Sequence, residues 1–441
     1  MSSLLNIGKS GAMAARKALE LTAQNIANAG NPEYARRTVS MAEVAATSGI
    51  GLEPGTPLSG VRIDRVLRSD SLFLQNEARR TSSDVARADA ELSGLTGAEN
   101  AIEQAGIYGA IVDFEASLSR LVADPLGGAL RAAVLEDGRR LAGTFQIAGS
   151  ALDVAASNAS QSADAGIEQV NLLAAELART NIGIARAQSG TSGMAALYDQ
   201  RDALLRDLTD LTGGSVSLDS MGRATVTLGG ETLVTGTQTA PLAATANPDG
   251  SLAFTVGGTG VALDSGSLQG NSLALRAIGN LHTELDSLAA QVISTVNAAQ
   301  ASGAAPDGTA GQPFFSGSNA ADIALSLTSG SQIATAPTGS APGSRDISNL
   351  QALRDVLANG GPAASADRLL FDLSSAIDAR SVTRDALRTV ADSAQLALSQ
   401  ETGVDLDQEA ANLLRFQQAF QANGRVIQAA ADVFDTILGI G

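Results

Sequence analysis

The segment Glu409-Ala-Ala-Asn412-Leu413-Leu414-Arg415-Phe416-Gln417-Gln418-Ala419-Phe420 opens the most regular pattern in the chain. Leu413, Phe420, Ile427 and Phe434 recur every seven residues, with Ala410, Gln417, Gly424, Ala431 and Leu438 at the second seam position. A repeat of this kind predicts a partnered helix, because a 3.5-residue period keeps one narrow stripe facing a neighbour. The N-terminus carries a stripe of matching length. Leu5, Ala12, Leu19 and Ile26 recur with Ala15 and Thr22 between them, and Gly30-Asn31-Pro32 closes the helix. A narrow stripe at each end of one chain predicts that the terminal helices pair with each other. Separate packing of each on the rest of the protein is the alternative that the pattern leaves open.

Between the ends the patterning changes several times. Residues 36–70 read as an irregular connection with short strands at both ends: Val39 and Met41 alternate, Gly49, Gly51, Pro54, Gly55 and Pro57 cluster, and Val61 and Ile63 alternate. Helical spacing resumes near Ser71 and continues through Leu92, Leu95 and Ile102. A second stripe, Ile107 to Leu121, stops at Asp124-Pro125. From Gly128 to about Gln188 the Ala-rich chain predicts one very long helix, with another over 194–211. Residues 214–268 alternate Val216/Leu218, Val226/Leu228 and Leu252/Phe254/Val256 around glycine turns, which predicts a small all-β insertion. Helix returns over 272–301, a Gly/Pro/Ser/Thr-rich stretch fills 302–345, and helices run from 346 to 400 with a break at Gly360-Gly361-Pro362. The expected fold is mainly α with a small β insertion (α+β): an elongated helical bundle with paired N- and C-terminal coiled-coil helices and an all-β outer domain. The expected division is 1–35 as the N-terminal helix of an inner domain, 36–70 as connection, and 71–212 as the first part of a middle domain. Residues 213–269 follow as the outer domain, 270–402 as the second part of the middle domain, and 403–441 as the C-terminal helix.

Composition narrows the function. The chain has 441 residues, 44% apolar and 17% charged, enough to build cores. Aromatics are only 3%, so Ala, Leu, Ile and Val must fill those cores, which suits close-packed helices. A net charge of −17 makes nucleic acid and anionic membrane surfaces poor partners. No run of about 18 apolar residues is present to span a bilayer, and no cleavable secretory signal is expected at the N-terminus. With no cysteine and one histidine, thiol nucleophiles, Cys/His zinc sites and relays needing two histidines are excluded. Gly8-Lys9-Ser10 opens a helical stripe instead of following a strand, unlike a phosphate-binding loop. Gly258-Thr-Gly260 reads as a turn. Asp405-Leu-Asp407-Gln-Glu409 lacks the glycine and twelfth-position glutamate of a calcium loop and reads as a helix N-terminus. His282 has no Ser-centred elbow to serve. No catalytic, cofactor or metal residue is expected.

Two terminal blocks carry a resemblance beyond periodicity. Leu21-Thr-Ala-Gln-Asn25-Ile26-Ala-Asn28, followed by Pro32-Glu33-Tyr34-Ala-Arg36-Arg37, resembles the N-terminal signature of bacterial flagellar rod, hook and hook-associated proteins. Glu409 to Ala422, continuing to Arg425-Val426-Ile427, is similar to their C-terminal helix. Leu197-Tyr198-Asp199-Gln200-Arg201-Asp202-Ala203-Leu204 and Gly311-Gln312-Pro313-Phe314-Phe315 resemble internal segments of hook-associated members in the same order. Glu33 departs from the glycine usual before Tyr34, and Phe416 and Phe420 replace tyrosines. The chain is short for the family, which implies a reduced outer domain. The resemblance implies a non-enzymatic axial protein, exported through the flagellar type III channel, whose subunits form a ring joining hook to filament. Its implied partners are copies of itself, hook protein, a second junction protein, and an export chaperone on the C-terminal helix. Leu5, Leu19, Ile26, Leu413, Phe420, Ile427 and Phe434 are then expected to bury the seam between the terminal helices and between subunits. Asn25, Asn28, Tyr34, Asn412 and Gln417 are its expected polar members, with simple capping of the helix end the alternative for Asn28. A hook-type axial protein, or a coiled-coil scaffold for partner helices, are the competing readings.

Overall fold

The computed structural model describes residues 2–43 and 60–438. The glycine and proline cluster at 49–57 lies outside the described residues. Helix α1 (Ser2–Asn28) leads through a turn into strands β1 (Arg37–Glu43) and β2 (Val61–Arg68), which pair antiparallel. Four helices follow: α2 (Leu72–Ala105), α3 (Ile107–Leu121), α4 (Gly128–Arg186) and α5 (Ser192–Thr212). Helix α4 has 59 residues and so runs for roughly 90 Å at 1.5 Å per residue. Seven short strands, β3 (Ser215–Leu218) to β9 (Thr259–Val261), come next. Helices α6 (Ser267–Ala301), α7 (Ser348–Ala358), α8 (Pro362–Thr402) and α9 (Leu406–Leu438) follow, with four two-residue strands and one 3-10 turn between α6 and α7. The expected helices are all present; α6 starts five residues earlier than its apolar spacing indicated.

Two cores organise the middle of the molecule. The first joins Leu95 and Ile102 of α2, Phe114 of α3, Leu141 and Phe145 of α4, Leu285 and Val292 of α6, and Leu369 of α8. Helix α6 approaches α2 closely because Gly270 presents no side chain: a Cβ there would meet the Arg87 carbonyl oxygen at 2.3 Å. Residues 302–345 belong to this same core. Phe314, Phe315, Ile323 and Ile333 are buried in it, and Phe314 stacks edge-on against Phe114 at 5.4 Å. Arg131 of α4, only 3% exposed, pins the segment by donating to the carbonyls of Gly330 (3.1 Å) and Ile333 (2.7 Å) and to Thr335 Oγ1 (2.9 Å). It also donates to Pro125 O at 2.6 Å. Burial draws its pKa down to about 10, with Asp124 opposing, so the group stays a cation near neutrality.

The second core changes the picture of the β insertion. Its strands form an antiparallel sheet of four (β3–β6) and one of three (β7–β9). Their inner residues Val226, Leu233, Val234, Leu242 and Phe254 share a cluster with Ala163, Val170, Ala174 and Leu177 of α4 and Leu204, Leu205 and Leu208 of α5. The sheets therefore complete a core with helices instead of closing one on each other. Each sheet has one apolar face to cover, and here α4 and α5 supply the cover.

The chain ends meet, as the paired stripes predicted. Helices α1 and α9 run antiparallel: Gly8 faces Ile427, Gly11 faces Asn423, and Ala18 and Thr22 lie beside Asn412 and Phe416. The seam keeps Ala15, Thr22 and Ile427 of the expected stripes but is otherwise shifted round both helices. On α1 it follows Gly8, Gly11, Ala15, Ala18, Thr22 and Asn25; on α9 it follows Glu409, Asn412, Phe416, Ala419, Asn423, Ile427 and Ala430. Leu5, Ile26, Phe420 and Phe434, expected to bury this seam, are 44%, 37%, 44% and 54% exposed. Close approach explains the difference. A Cβ at Gly11 would lie 2.3 Å from Asn423 Oδ1, so glycine and alanine let the backbones meet where leucines would hold them apart.

Candidate assembly interface

The turn after α1 is built around one buried amide. Asn25, 1% exposed, accepts at Oδ1 from the Tyr34 hydroxyl (2.8 Å) and from the Arg37 backbone N–H (3.0 Å), while its Nδ2 donates to the Arg37 carbonyl (2.8 Å). All the bonding capacity of that oxygen goes to fixing the turn and the first residue of β1. Asn28 donates Nδ2 to the Gln24 carbonyl at 2.8 Å, closing the last turn of α1, so its end-capping role is the one the geometry provides. Glu33 does not strain the turn. Among the described residues no non-glycine has positive φ, and Asn31 Oδ1 accepts the Glu33 N–H at 3.0 Å in a side-chain-closed turn. Burial raises the Tyr34 phenol above its ordinary value, with Arg37 opposing, so it remains a neutral donor to Asn25.

Beyond the turn lies a network that the sequence did not single out as a site. The register of the β1–β2 ladder sets Arg37 directly opposite Arg68. Two like charges in that position repel unless an anion sits between them. Asp199 of α5 does so, pairing with Arg37 through Oδ2 and with Arg68 Nε through Oδ1 at 2.7 Å. One turn further along α5, Asp202 accepts from Arg68 Nη2 (2.7 Å), Gln75 Nε2 (3.1 Å) and Arg201 (2.6 Å). Burial alone would lower the Arg68 guanidinium, but Asp202 and then Asp199 outweigh it and hold the group above its ordinary range. Arg201 also donates to the Gly222 carbonyl at 2.6 Å and lies 4.8 Å over the Tyr198 ring, reaching the β3–β4 turn. This clamp ties the hairpin, and through Asn25 the terminal helix pair, to the central bundle. The motif around 197–204 was visible in the sequence. Its hairpin partners Arg37 and Arg68, 131 to 162 residues away, were not.

A second tie fixes α9. Glu409, 1% exposed, accepts from Arg36 Nε at 2.7 Å, and the Arg36 N–H donates to the Thr402 carbonyl at 2.9 Å. Asp405 Oδ1 accepts from the N–H groups of Asp407 and Gln408, confirming the acidic triplet as a helix N-terminus. The other expected interface residues divide by exposure. Asn412 is buried, Leu19, Leu413 and Ile427 are half-buried, and Gln417 is exposed. Together with Leu5, Ile26, Phe420 and Phe434, the exposed apolar residues of the pair include Leu4 and Met13 on α1 and Leu414 and Val433 on α9.

Among the described residues no group of three or more His, Asp or Glu is placed to hold a metal, and no helix is long and apolar enough to cross a membrane. Gly8 of the Gly8-Lys9-Ser10 sequence lies at the helix crossing, and Ser10 Oγ accepts the Val61 N–H at 3.2 Å, tying β2 to α1. Gly258 turns between β8 (Leu252–Val256) and β9. His282 has Asp153 at 3.5 Å and Asp286 at 3.6 Å, an exposed cluster outside any cavity described here.

Half of the chain, residues 95–315, matches the family described as flagellar hook-associated protein FlgK helical domain. The chain belongs to the FlgK family of flagellar hook-associated proteins. Residues 398–440, which include α9, match the C-terminal region of flagellar basal body rod FlgEFG proteins. Flagellar hook-associated protein 1 of Escherichia coli is 25% identical over 551 aligned positions covering both chains entirely. Its namesake in Salmonella typhimurium is 28% identical over 74% of this chain and 63% of that one, and in Bacillus subtilis the figures are 25% over 97% and 96%. A solved structure of the flagellar hook junction protein FlgK from Burkholderia pseudomallei shares the fold, with a TM-score of 0.50 and 24% identity over 55% of this chain and 46% of that one. These FlgK relatives are named as flagellar hook-associated proteins, in line with the mainly helical, small-sheet architecture seen here.

Proposed function

We propose that this chain is an exported axial subunit of the bacterial flagellum that joins hook to filament, polymerising through the outward faces of its terminal helices. The observation that carries the reading is the division of labour on the α1–α9 pair. Small and polar residues of α1, with Phe416 and Ile427 among their partners on α9, close the pair within one chain, leaving Leu5, Ile26, Phe420 and Phe434 exposed for contacts between copies. Exposed apolar side chains on a paired, tethered helix unit are the expected signature of a surface that is covered on assembly. Gln417, which is exposed, is assigned to its polar register contacts, while Asn412 serves the inner seam. Asn25, Asn28 and Tyr34 support it from within, by holding the turn.

The subunit would work mechanically, in a ring of its own copies contacting hook protein on one side and a second junction protein on the other. An export chaperone would cover α9 before secretion. The segment 213–269 is assigned as the outer region of each subunit, seated on the ends of α4 and α5. No reaction is assigned to the chain. Membership in the hook-associated family favours this reading over a hook-type subunit, since the rod-type match is confined to the C-terminal segment. Deleting the gene in its source bacterium tests it. Hooks without filaments, with flagellin in the medium, are expected on electron microscopy; normal filaments in the absence of a second gene copy would refute it.

A further inference from the structure

Where the turn 32–35, β2, α2, α5 and the end of α8 meet, they enclose a cavity of about 100 Å³. Its walls include Tyr34, Arg68, Gln75, Arg79, Ser82 and Asp202. The charge around it does not balance. Arg37, Arg68, Arg79 and Arg201 are each at least nine-tenths buried, and only Asp199 and Asp202 are paired to them among the described residues. Arg79 is the odd member. It is 7% exposed and, among the described residues, has no carboxylate within ion-pair distance and reaches only Asn76 Oδ1, at 2.7 Å. Its Nε, and Nη1 of Arg68 in the same wall, are buried without a hydrogen-bond partner. Burial lowers the Arg79 guanidinium below its ordinary value, with Arg201 adding to this and Asp202 opposing. In a chain of net charge −17, four buried guanidinium groups sharing two carboxylates, with Arg79 paired to neither, call for a reason. Water in the cavity could satisfy the N–H groups but not the charge.

We propose that this cavity is an oxyanion site, taking one carboxylate-, phosphate- or sulfate-sized group between Arg68 and Arg79. The planar guanidinium forks suit two oxygens of one such group. The bound anion would lie at the joint between the terminal unit and the bundle and would stiffen it. A free anion and an acidic side chain from another copy of the chain share this chemistry.

The test uses the full-length monomer, with inorganic phosphate or acetate titrated at ionic strength held constant by chloride. Thermal unfolding and the phosphorus NMR line width are read together. Phosphate is expected to raise Tm saturably by about 3 °C at 10 mM and to broaden its own resonance. Both effects should vanish in Arg79→Met, and Arg79→Gln, which keeps a polar head without the charge, serves if that variant does not fold. A response to phosphate well above that to acetate identifies a free tetrahedral anion. An equal or stronger response to acetate identifies a side-chain carboxylate as the natural occupant. No response to either beyond chloride, or an undiminished response in the Arg79 variants, overturns the site.

Discussion

Replacing Asp199 with asparagine tests whether the hairpin and terminal helices are held to the bundle by charge. The variant keeps the size of the side chain and one acceptor oxygen but removes the anion between Arg37 and Arg68. Those guanidinium side chains are 9% and 7% exposed, so the remaining cations cannot be re-solvated without opening the joint. Breaking a buried pair by neutralising one partner costs ~3–5 kcal/mol. Arg68 retains Asp202 at 2.7 Å, which places the expected cost near the low end, ~3 kcal/mol. At 1.4 kcal/mol per decade this is roughly a hundredfold increase in local opening. Amide hydrogen exchange reads it directly: protection across 37–43 and 61–68 should fall by about that factor. Amides of α4 and α6 around Phe145 and Leu285 should stay within about threefold, because those residues belong to a separate core. Combining Asp199→Asn with Arg37→Met should cost at least ~1 kcal/mol less than the sum of the two changes, since they share one pair. Unchanged protection in the hairpin, or loss spread evenly over both regions, would refute the clamp.

Other parts of the structure give expectations of the same kind. Arg131→Met should lower the urea midpoint by ~3 kcal/mol of stability, because it strands the carbonyls that the guanidinium now satisfies; lysine should rescue only partly, having no planar fork. The Asp210 carboxyl is pushed up by burial, its Ser82 hydrogen bond opposing, and Oδ1 has no partner. A raised folded pKa means that its contribution is favourable below the unfolded value of 3.8 and is lost as pH rises through the folded value. Asp210→Asn should therefore match the parent's Tm in acid and exceed it increasingly toward pH 7, as thermal scans across pH would show. Phe420→Ser should change monomer stability by less than ~0.5 kcal/mol, the side chain being 44% exposed, yet abolish filament growth in a motility assay.

The helical frame was legible because its signals are local. Breakers at Gly30, Pro125 and Gly360 and the apolar spacing between them locate nearly every helix end. The strand segment was equally plain from its glycine turns, but alternation says only that one face is buried, not that α4 and α5 bury it. The phase of the terminal seam was read from its largest apolar residues. That rule assumes an interface filled by leucine-sized knobs. Here Gly8, Gly11, Ala15 and Ala18 form a repeat of the same period, shifted round the helix, and the backbones approach too closely for larger side chains. Both stripes have a heptad's spacing, so periodicity alone could not choose between them. The anchor was hidden for a different reason: Arg37, Arg68, Asp199 and Asp202 become a cluster only once the hairpin register and the face of α5 are known.

The two stripes also explain why the anchor is needed. An alanine buries far less apolar surface than a leucine, so the glycines and alanines that α1 gives to the seam bring Phe416 and Ile427 of α9 into contact with a smaller hydrophobic term than leucines would. Such a pair is weakly held by itself, and nearly all of its specificity must come from polar fixation. The structure supplies it at the end of the pair nearest the bundle: Asn25 holds the turn, Arg36 holds Glu409, and Asp199 holds the hairpin. The opposite end, toward Leu5 and Phe434, has no comparable cluster of ion pairs among the described residues. Leucines in the inner seam would have stabilised the isolated pair but consumed the apolar side chains that now face outward. On the proposed reading, Leu5, Ile26, Phe420 and Phe434, which the inner seam leaves exposed, would be covered by contacts between copies.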